Sequence, residues 1–380
     1  MKVTIVHLRI GKQFGGAELY CFQMIQALLE QKVDLNAISM YLSKALAAKS
    51  NFTHIGILPN GKRLAGLYIR LYNRLRLGKL RFIRALNKHA KYSDLIIVGH
   101  INLLPQVANF AQKNNKKIWL VVYGIDIWRD WSNKEKNAIE KCDRIIAISN
   151  FTADSVKNRL SKGGKKVVVI PCITEPNFFI PTQDKVPSAP RVILTVGRLA
   201  SNEAYKGHDL IIKSLNNVQK RLGVPVEYHI VGKGDDEIGL RRVAQDCGVA
   251  ENVLFRGRLE GDEFLKAYQR CHVFAMPSYV SQRPDGSWTG EGFGIVYIEA
   301  AACGKPVLAC DVGGQVDCIR HGETGILVKP TVESVESGLV QILGDLDKAR
   351  RMGMAGRDFV LKNFTREHFN RKWAELLKQT

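Results

Sequence analysis

Residues 290–314 read GEGFGIVYIEAAACGKPVLACDVGG. Two glutamates interrupt this apolar stretch, Glu291 in its glycine-rich start and Glu299 further along. An ionised carboxylate is costly to bury unless it has partners. The spacing predicts a helix from near Gly294 to Gly304, a suitable glycine to follow a helix end. Glu299 then lies mid-helix and Glu291 in the loop before it, at most about 12 Å away at helical rise. The amides of Gly292, Phe293 and Gly294, with Ile295 next, open a helix N-terminus, which binds anions. The layout is carboxylate, anion site, carboxylate. Carboxylates accept hydrogen bonds from neighbouring sugar hydroxyls, so a ribose, a diphosphate and a second sugar would fit. The bland alternative is a Glu291 favoured by the helix dipole and a Glu299 in a structural ion pair.

Other stretches of the second half point the same way. VGRLASNEAYKGHD (196–209) puts Arg198 directly after a strand pattern and Lys206 before a helical one. Two cations at a strand end suit a diphosphate. VGKGDD (231–236) ends another strand at Gly232, and FRGRL (255–259) offers backbone edges to a base around Arg258 and Leu259. Taken singly, each of these also describes a solvated loop.

The elements that must hold these residues alternate along the whole chain. Strand patterns fall at 2–8, 94–100, 117–124, 144–149 and 166–171, then at 191–197, 226–232, 253–257, 272–278, 306–310 and 325–328. Continuous apolar strands between helices imply parallel sheets covered on both faces. Residues 171–190 carry five prolines and no periodicity, so the series breaks there. The expected division is a first domain over 1–175, a linker over 176–190 and a second domain over 191–362. A final helix over 363–380, capped by Thr365, is expected to return to the first domain. Its Phe369, Trp373, Leu376 and Leu377 share a face. In doubly wound sheets ligands bind beyond the carboxyl ends of the strands, and two such domains facing each other would frame a cleft.

The chain has 380 residues and a formal net charge of +20, from 56 basic and 36 acidic residues. That excess implies an anionic partner without choosing among nucleic acid, phosphorylated substrate and membrane surface. The eight cysteines form no C-x-x-C pair and read as reduced core residues of a cytosolic protein. No uninterrupted apolar stretch is long enough to span a bilayer, and MKVTIVHLRIG reads as a first strand rather than a signal peptide.

The ordered set VGRL…KG, VGKG, FRGRL, MPS and EGFGIVYIEAAACGKPVLACDVGG resembles the family-4 retaining glycosyltransferases of the GT-B fold, whose E-x7-E signature matches Glu291 and Glu299. The resemblance is specific over about 191–328; in the first half it rests mainly on GGAE (15–18). It implies an α/β fold with two doubly wound Rossmann-like domains facing a central cleft. It implies that Glu299 holds the ribose hydroxyls and that Arg198 and Lys206 hold the diphosphate. Glu291 and the amides of Phe293 and Gly294 would face the transferred sugar, while Gly15 and Gly16 would let backbone approach the phosphates. It further implies a nucleotide-sugar donor, no cofactor and no metal. The acceptor hydroxyl would attack from the face the phosphate leaves, and the phosphate would take its proton. The one D-x-D, Asp345 to Asp347, reads as solvated surface. Where relatives often carry H-G-x-D/E, this chain has YGID, leaving Asp126 or His100 as candidate polar groups near the sugar. The loop 279–290 is long and would shape sugar or acceptor choice, or be a plain surface excursion.

The acceptor expectation rests on residues 62–92, which carry ten Lys and Arg and no acid. On a helical wheel Arg63, Arg70, Arg74, Arg81 and Lys88 fall near one line, with Leu64, Leu67, Leu71 and Leu75 on an adjoining face bordered by Tyr68 and Tyr72. Gly78 would divide this into two helices. Such a stripe fits reversible binding to an anionic membrane surface; an ordinary domain helix with solvated arginines is the alternative. The expected enzyme is cytoplasmic, peripheral at the inner face of a membrane, and glycosylates a lipid-linked or envelope glycan. A soluble acceptor, a sugar-nucleotide epimerase and a non-catalytic nucleotide-sugar-binding module are the rivals. No recognised motif supports nucleic acid as a partner.

Overall fold

The computed structural model describes residues 1–10, 15–41, 53–58, 77–161, 164–184 and 186–380. They form two compact units, Met1–Ile170 with Phe369–Thr380, and Pro171–His368.

The first unit is built on β1 (Lys2–Arg9), β2 (Asp34–Tyr41), β3 (Thr53–Leu58), β4 (Leu95–Val98), β5 (Lys117–Val122), β6 (Arg144–Ala147) and β7 (Val167–Val169), in the order β3-β2-β1-β4-β5-β6-β7. Every neighbouring pair is parallel. The direction of winding reverses between β1 and β4, and β4 is buried along its whole length. The expected strands are present, each within a few residues. β2 and β3 are additions to the sequence expectation. β2 (DLNAISMY) mixes polar and apolar positions, so it lacks the continuous apolar run that marks the other strands.

The second unit uses β8 (Arg191–Val196), β9 (Val226–Val231), β10 (Val253–Gly257), β11 (Val273–Met276), β14 (Val307–Cys310) and β15 (Gly325–Val328), in the order β10-β9-β8-β11-β14-β15. Its pairs are again parallel, and the winding reverses between β8 and β11. Between β11 and β14 the loop 279–290 forms a small antiparallel hairpin, β12 (Ser281–Gln282) against β13 (Trp288–Thr289), turning at Asp285-Gly286.

Helix Arg366–Leu377 begins at the Thr365 cap, whose hydroxyl accepts the His368 amide at 3.5 Å. Phe369, Trp373 and Leu376 are buried. Within the first unit Trp373 packs 6.4 Å from Trp119 of β5, and Phe369 meets Tyr20 edge-on at 5.3 Å. Asp345 and Asp347 are exposed, as expected, and Asp345 also caps a helix. Its carboxylate accepts the Asp347 and Lys348 amides at the start of helix Leu346–Asn363.

Arg63, Arg70 and Arg74, with Leu64, Leu67, Tyr68, Leu71, Tyr72 and Leu75, lie outside the described residues. The part described is helix Leu77–Ala85, followed by a π turn over Leu86–Ala90. Gly78 sits inside its first turn. Phe82 and Leu86 face the core, while Arg81, Arg84 and Lys88 face solvent.

Removing a fully buried indole leaves a cavity and costs about 3–5 kcal/mol. Trp373→Ala is therefore expected to lower stability by that order in denaturant titration. Amide exchange should speed up in β5 ahead of the strands of the second unit.

Candidate functional site

In the second unit the residues of interest gather at the carboxyl ends of β8 and β11, where the winding reverses, the usual ligand position in such a sheet. Arg198 leaves β8 through Gly197. The chain then makes a short 3-10 stretch, Ser201–Lys206, and enters helix His208–Leu222 through Gly207. Gly207 has φ +73°, and a Cβ there would lie 2.5 Å from the Pro277 carbonyl. Only glycine lets this loop close onto the end of β11, and the closure buries Lys206, whose side chain is 9% exposed.

Lys206 and Arg198 meet on one carboxylate that sequence reasoning did not single out. Glu203 Oε2 accepts from Lys206 Nζ at 2.6 Å, and Glu203 Oε1 pairs with Arg198. The Arg198 side chain is otherwise exposed, at 74%. Lys206 Nζ also reaches the Arg198 carbonyl at 3.3 Å. The only hint of Glu203 in the sequence was an acid lying between the two expected cations.

Helix Ile295–Ala302 starts from Gly294, with Glu291 three residues before the cap. Its first intrahelical bond runs from the Tyr297 amide to the Gly294 carbonyl, 3.1 Å, so the amides of Phe293, Gly294 and Ile295 carry no intrahelical bond. The turn is held in three ways. The Gly314 amide donates to the Glu291 carbonyl at 2.8 Å, the Phe293 ring is buried 5.6 Å from Phe364, and the Tyr297 hydroxyl donates to the Met276 carbonyl at 2.7 Å. A Cβ on Gly314 would stand 1.9 Å from the Gly292 carbonyl, so these loops touch backbone to backbone. Burial raises the pKa of Glu291; Lys206 and Arg198 oppose the rise and Glu203 adds to it. Glu299 is half-buried and accepts the Tyr268 hydroxyl at 2.7 Å. Burial pushes its pKa up to about 7, with the Tyr268 bond partly offsetting the rise. Its partner is thus a neutral phenol from helix Gly261–Arg270, not the cation of a structural ion pair.

Gly232 has a packing role: its amide donates to the Gly257 carbonyl at 2.8 Å, and a Cβ would collide with the Gly197 carbonyl. Arg258 is exposed and pairs with Glu260 at 2.9 Å, beside half-buried Leu259. The hairpin of β12 and β13 is tied to the loop carrying Glu203. Arg283 donates to the Asn202 carbonyl, and the Tyr279 amide donates to the Tyr205 carbonyl at 2.9 Å.

The first unit gathers polar groups at its own reversal point. Gly15 and Gly16 begin helix Gly16–Glu30 just beyond the end of β1. His7, buried in β1, accepts the Arg9 amide at Nδ1, so its Nε2 carries the proton and faces the Tyr123 hydroxyl at 3.3 Å. Burial lowers the His7 pKa to about 4. His100 follows β4 and uses Nδ1 to accept the Asn102 amide at 3.2 Å. Burial lowers its pKa, and the nearby Arg129 lowers it further. Asp126 Oδ1 accepts the Tyr123 amide at 3.0 Å, while Oδ2 is buried with no partner among the described residues. Burial pushes the Asp126 pKa up to about 6. Arg129 and Glu135 form a two-pronged pair, with contacts of 2.6 and 3.2 Å. That pairing holds Glu135 down to about 2. His7, Arg129 and Glu135 escaped sequence reasoning because they are scattered along the chain.

Two family models match in tandem, Glycosyltransferase Family 4 over residues 14–178 and Glycosyl transferases group 1 over 178–359. The chain belongs to this glycosyltransferase family. The GT-B fold is shared with sucrose-phosphate synthase from Thermosynechococcus elongatus (TM-score 0.78, 22% identity, 100% of this chain and 98% of that one). It is shared equally with Anabaena HepE solved with UDP (TM-score 0.78, 19% identity, 100% of both chains). Among curated glycosyltransferases, a GDP-mannose-dependent phosphatidylinositol monomannoside mannosyltransferase of Mycobacterium tuberculosis is 35% identical over 175 residues, 46% of this chain and 44% of that protein. A D-inositol 3-phosphate glycosyltransferase of Nocardia farcinica is 29% identical over 237 residues, 58% of this chain and 49% of that one. The chain spans about half the length of the curated relatives it matches.

The raised pKa of Glu299 has a definite sign. Its stabilising contribution is full below the ordinary carboxylate value of 4.5 and is lost as pH rises through about 7. Unfolding midpoints of the unliganded protein should therefore fall over that range. Glu299→Gln, which carries no charge at any pH, is expected to flatten that part of the profile. An unaltered profile in the variant would rule out Glu299 as the titrating group.

Proposed function

We propose that this protein is a retaining hexosyltransferase that draws on a nucleotide-diphosphate sugar, UDP- or GDP-linked. Its acceptor is a lipid-linked or envelope glycan at a membrane surface. The observation that carries the reading is the convergence of Arg198 and Lys206 on a single anion position at the end of β8. Glu291, which feels the charges of both cations, leads into the free amides that open helix Ile295–Ala302, and Glu299 lies one turn further on, ready to accept from ribose hydroxyls. The Mycobacterium tuberculosis relative, by its name, uses GDP-mannose and a phosphatidylinositol mannoside, which favours GDP-mannose and a lipid acceptor here. UDP in the Anabaena HepE structure keeps a uridine donor open.

In this reading the bond from the anomeric carbon to the diphosphate breaks as the acceptor hydroxyl attacks from the same face. The acceptor's proton passes to the leaving phosphate, so the chain supplies no nucleophile and the step needs no metal. Arg198, Lys206 and the helix amides are fixed charges and dipoles aimed at the leaving group. Glu291 faces the transferred sugar. Acceptor recognition belongs to the first unit, with Asp126 and His100 as its polar groups. A soluble acceptor is the alternative; an epimerase would instead turn over a nucleotide sugar with no acceptor at all.

Donor identity is tested with a thermal-shift panel of nucleotides and nucleotide sugars, because a ligand selective for the folded state raises stability by mass action. Arg198→Ala and Lys206→Ala are each expected to lower turnover by about 10²–10³-fold, as losing one stabiliser of developing charge does. The double variant should cost less than the sum. Near-normal turnover at saturating donor in either single variant would remove that residue from the diphosphate grip.

Membrane docking is tested by flotation with vesicles of anionic and of neutral lipid. The protein is expected to float with the anionic vesicles and to lose this in high salt, each basic residue adding about 1 kcal/mol near an anionic leaflet. Changing Arg63, Arg70 and Arg74 together to Glu should abolish flotation. Failure to float with either vesicle would favour the soluble acceptor.

A further inference from the structure

We infer that Glu203 is a built-in competitor for the donor diphosphate. It holds Arg198 and Lys206 in position before donor binds and gives way when the diphosphate arrives. This rests on the donor-site reading above and adds a regulatory residue to it.

Three observations carry the inference. The Glu203 carboxylate is bonded to both cations at once, Lys206 at 2.6 Å and Arg198 on the other oxygen, which is how a bridging phosphate would be held. Arg198 and Lys206, with Arg283 at the neighbouring Asn202 carbonyl, face two carboxylates here, Glu203 and Glu291. A diphosphate carries about two negative charges, and adding it without another change would set four negative charges against three cations, with Glu203 occupying the two that would hold it. Like charges repel strongly there, so one carboxylate has to withdraw. Glu203 is the one that blocks both cations. Glu291 acts on the cations through its charge, whereas both of them are bonded to Glu203. The Glu203 side chain is 12% exposed and lies on a short 3-10 stretch between exposed Asn202 and Ala204, so water is within reach of a change of its rotamer. Until then it serves a purpose: Arg198 is exposed at 74%, and the Glu203 pair fixes an otherwise free guanidinium in the donor-ready direction.

The test is calorimetric titration of the full chain with GDP and UDP and, as controls, guanosine and uridine. Glu203→Gln removes the negative charge and keeps the shape. The nucleoside diphosphate that binds the wild type should bind the variant about tenfold tighter, equivalent to about 1.4 kcal/mol. Affinity for the matching nucleoside should stay the same. A general effect on folding would move both ligands together; a positioning role alone would weaken the diphosphate. Equal or weaker diphosphate binding by a folded variant overturns the inference and leaves the donor-site reading intact. If neither diphosphate binds the wild type, the donor-site reading fails and this inference falls with it. The wild type gives a second readout that does not depend on how the variant folds. The carboxyl carbon resonance of Glu203 should shift on saturation with the diphosphate and not with the nucleoside; an unmoved resonance also overturns the inference.

Discussion

The described strands of each unit's large sheet all run the same way, so their carboxyl ends open on one edge. That constraint governs the rest of the structure. The sheet interiors are apolar and covered on both faces, so the strands themselves hold few charged groups. Polar and charged residues that must be both fixed and reachable collect in the loops beyond those ends. The reversal of winding between β1 and β4, and between β8 and β11, splays adjacent loops apart and leaves room there for a ligand. Arg198, Lys206, Glu203 and Glu291 on one sheet, and His7, His100, Tyr123 and Asp126 on the other, are products of that geometry.

Close backbone approach makes the loops of the second unit stiff. Gly207 against Pro277 and Gly314 against Gly292 bring chain segments into contact at distances no side chain tolerates. A loop held in this way presents its charges at fixed angles, which is what stabilising a leaving diphosphate demands. The hairpin of β12 and β13 adds a strut, because Arg283 grips the carbonyl of Asn202 next to Glu203. The loop 279–290 is thus part of the frame around the cation pair.

The buried carboxyls divide by environment. Glu135 has a two-pronged arginine and stays strongly acidic. Among the described residues Glu299 has the Tyr268 hydroxyl alone, and Asp126 has backbone amides on one oxygen and nothing on the other; burial lifts both toward neutrality. A group left short of partners in the unliganded protein has capacity for a ligand, whereas Glu135 has none to spare.

Much of this was legible in the sequence. Continuous apolar runs marked eleven of the parallel strands. Glycine punctuation marked the start of the helix bearing Glu299. Local propensity and burial on both faces leave a one-dimensional trace. β2 and β3 left a fainter one, since their apolar positions are interrupted. The family resemblance, carried by motifs in sequence order, also lay within reach. What the sequence did not contain was partnership. Tyr268 lies 31 residues from Glu299, and the Tyr123 hydroxyl lies 116 residues from His7. Nothing local in either segment specifies the other. Glu203 was near enough in sequence to notice, yet its bond to both cations depends on how Gly207 folds the loop back against β11. Residue types and order determined the fold class and the candidate charges; only tertiary packing decided which charge meets which, because burial and hydrogen bonding act through space rather than along the chain.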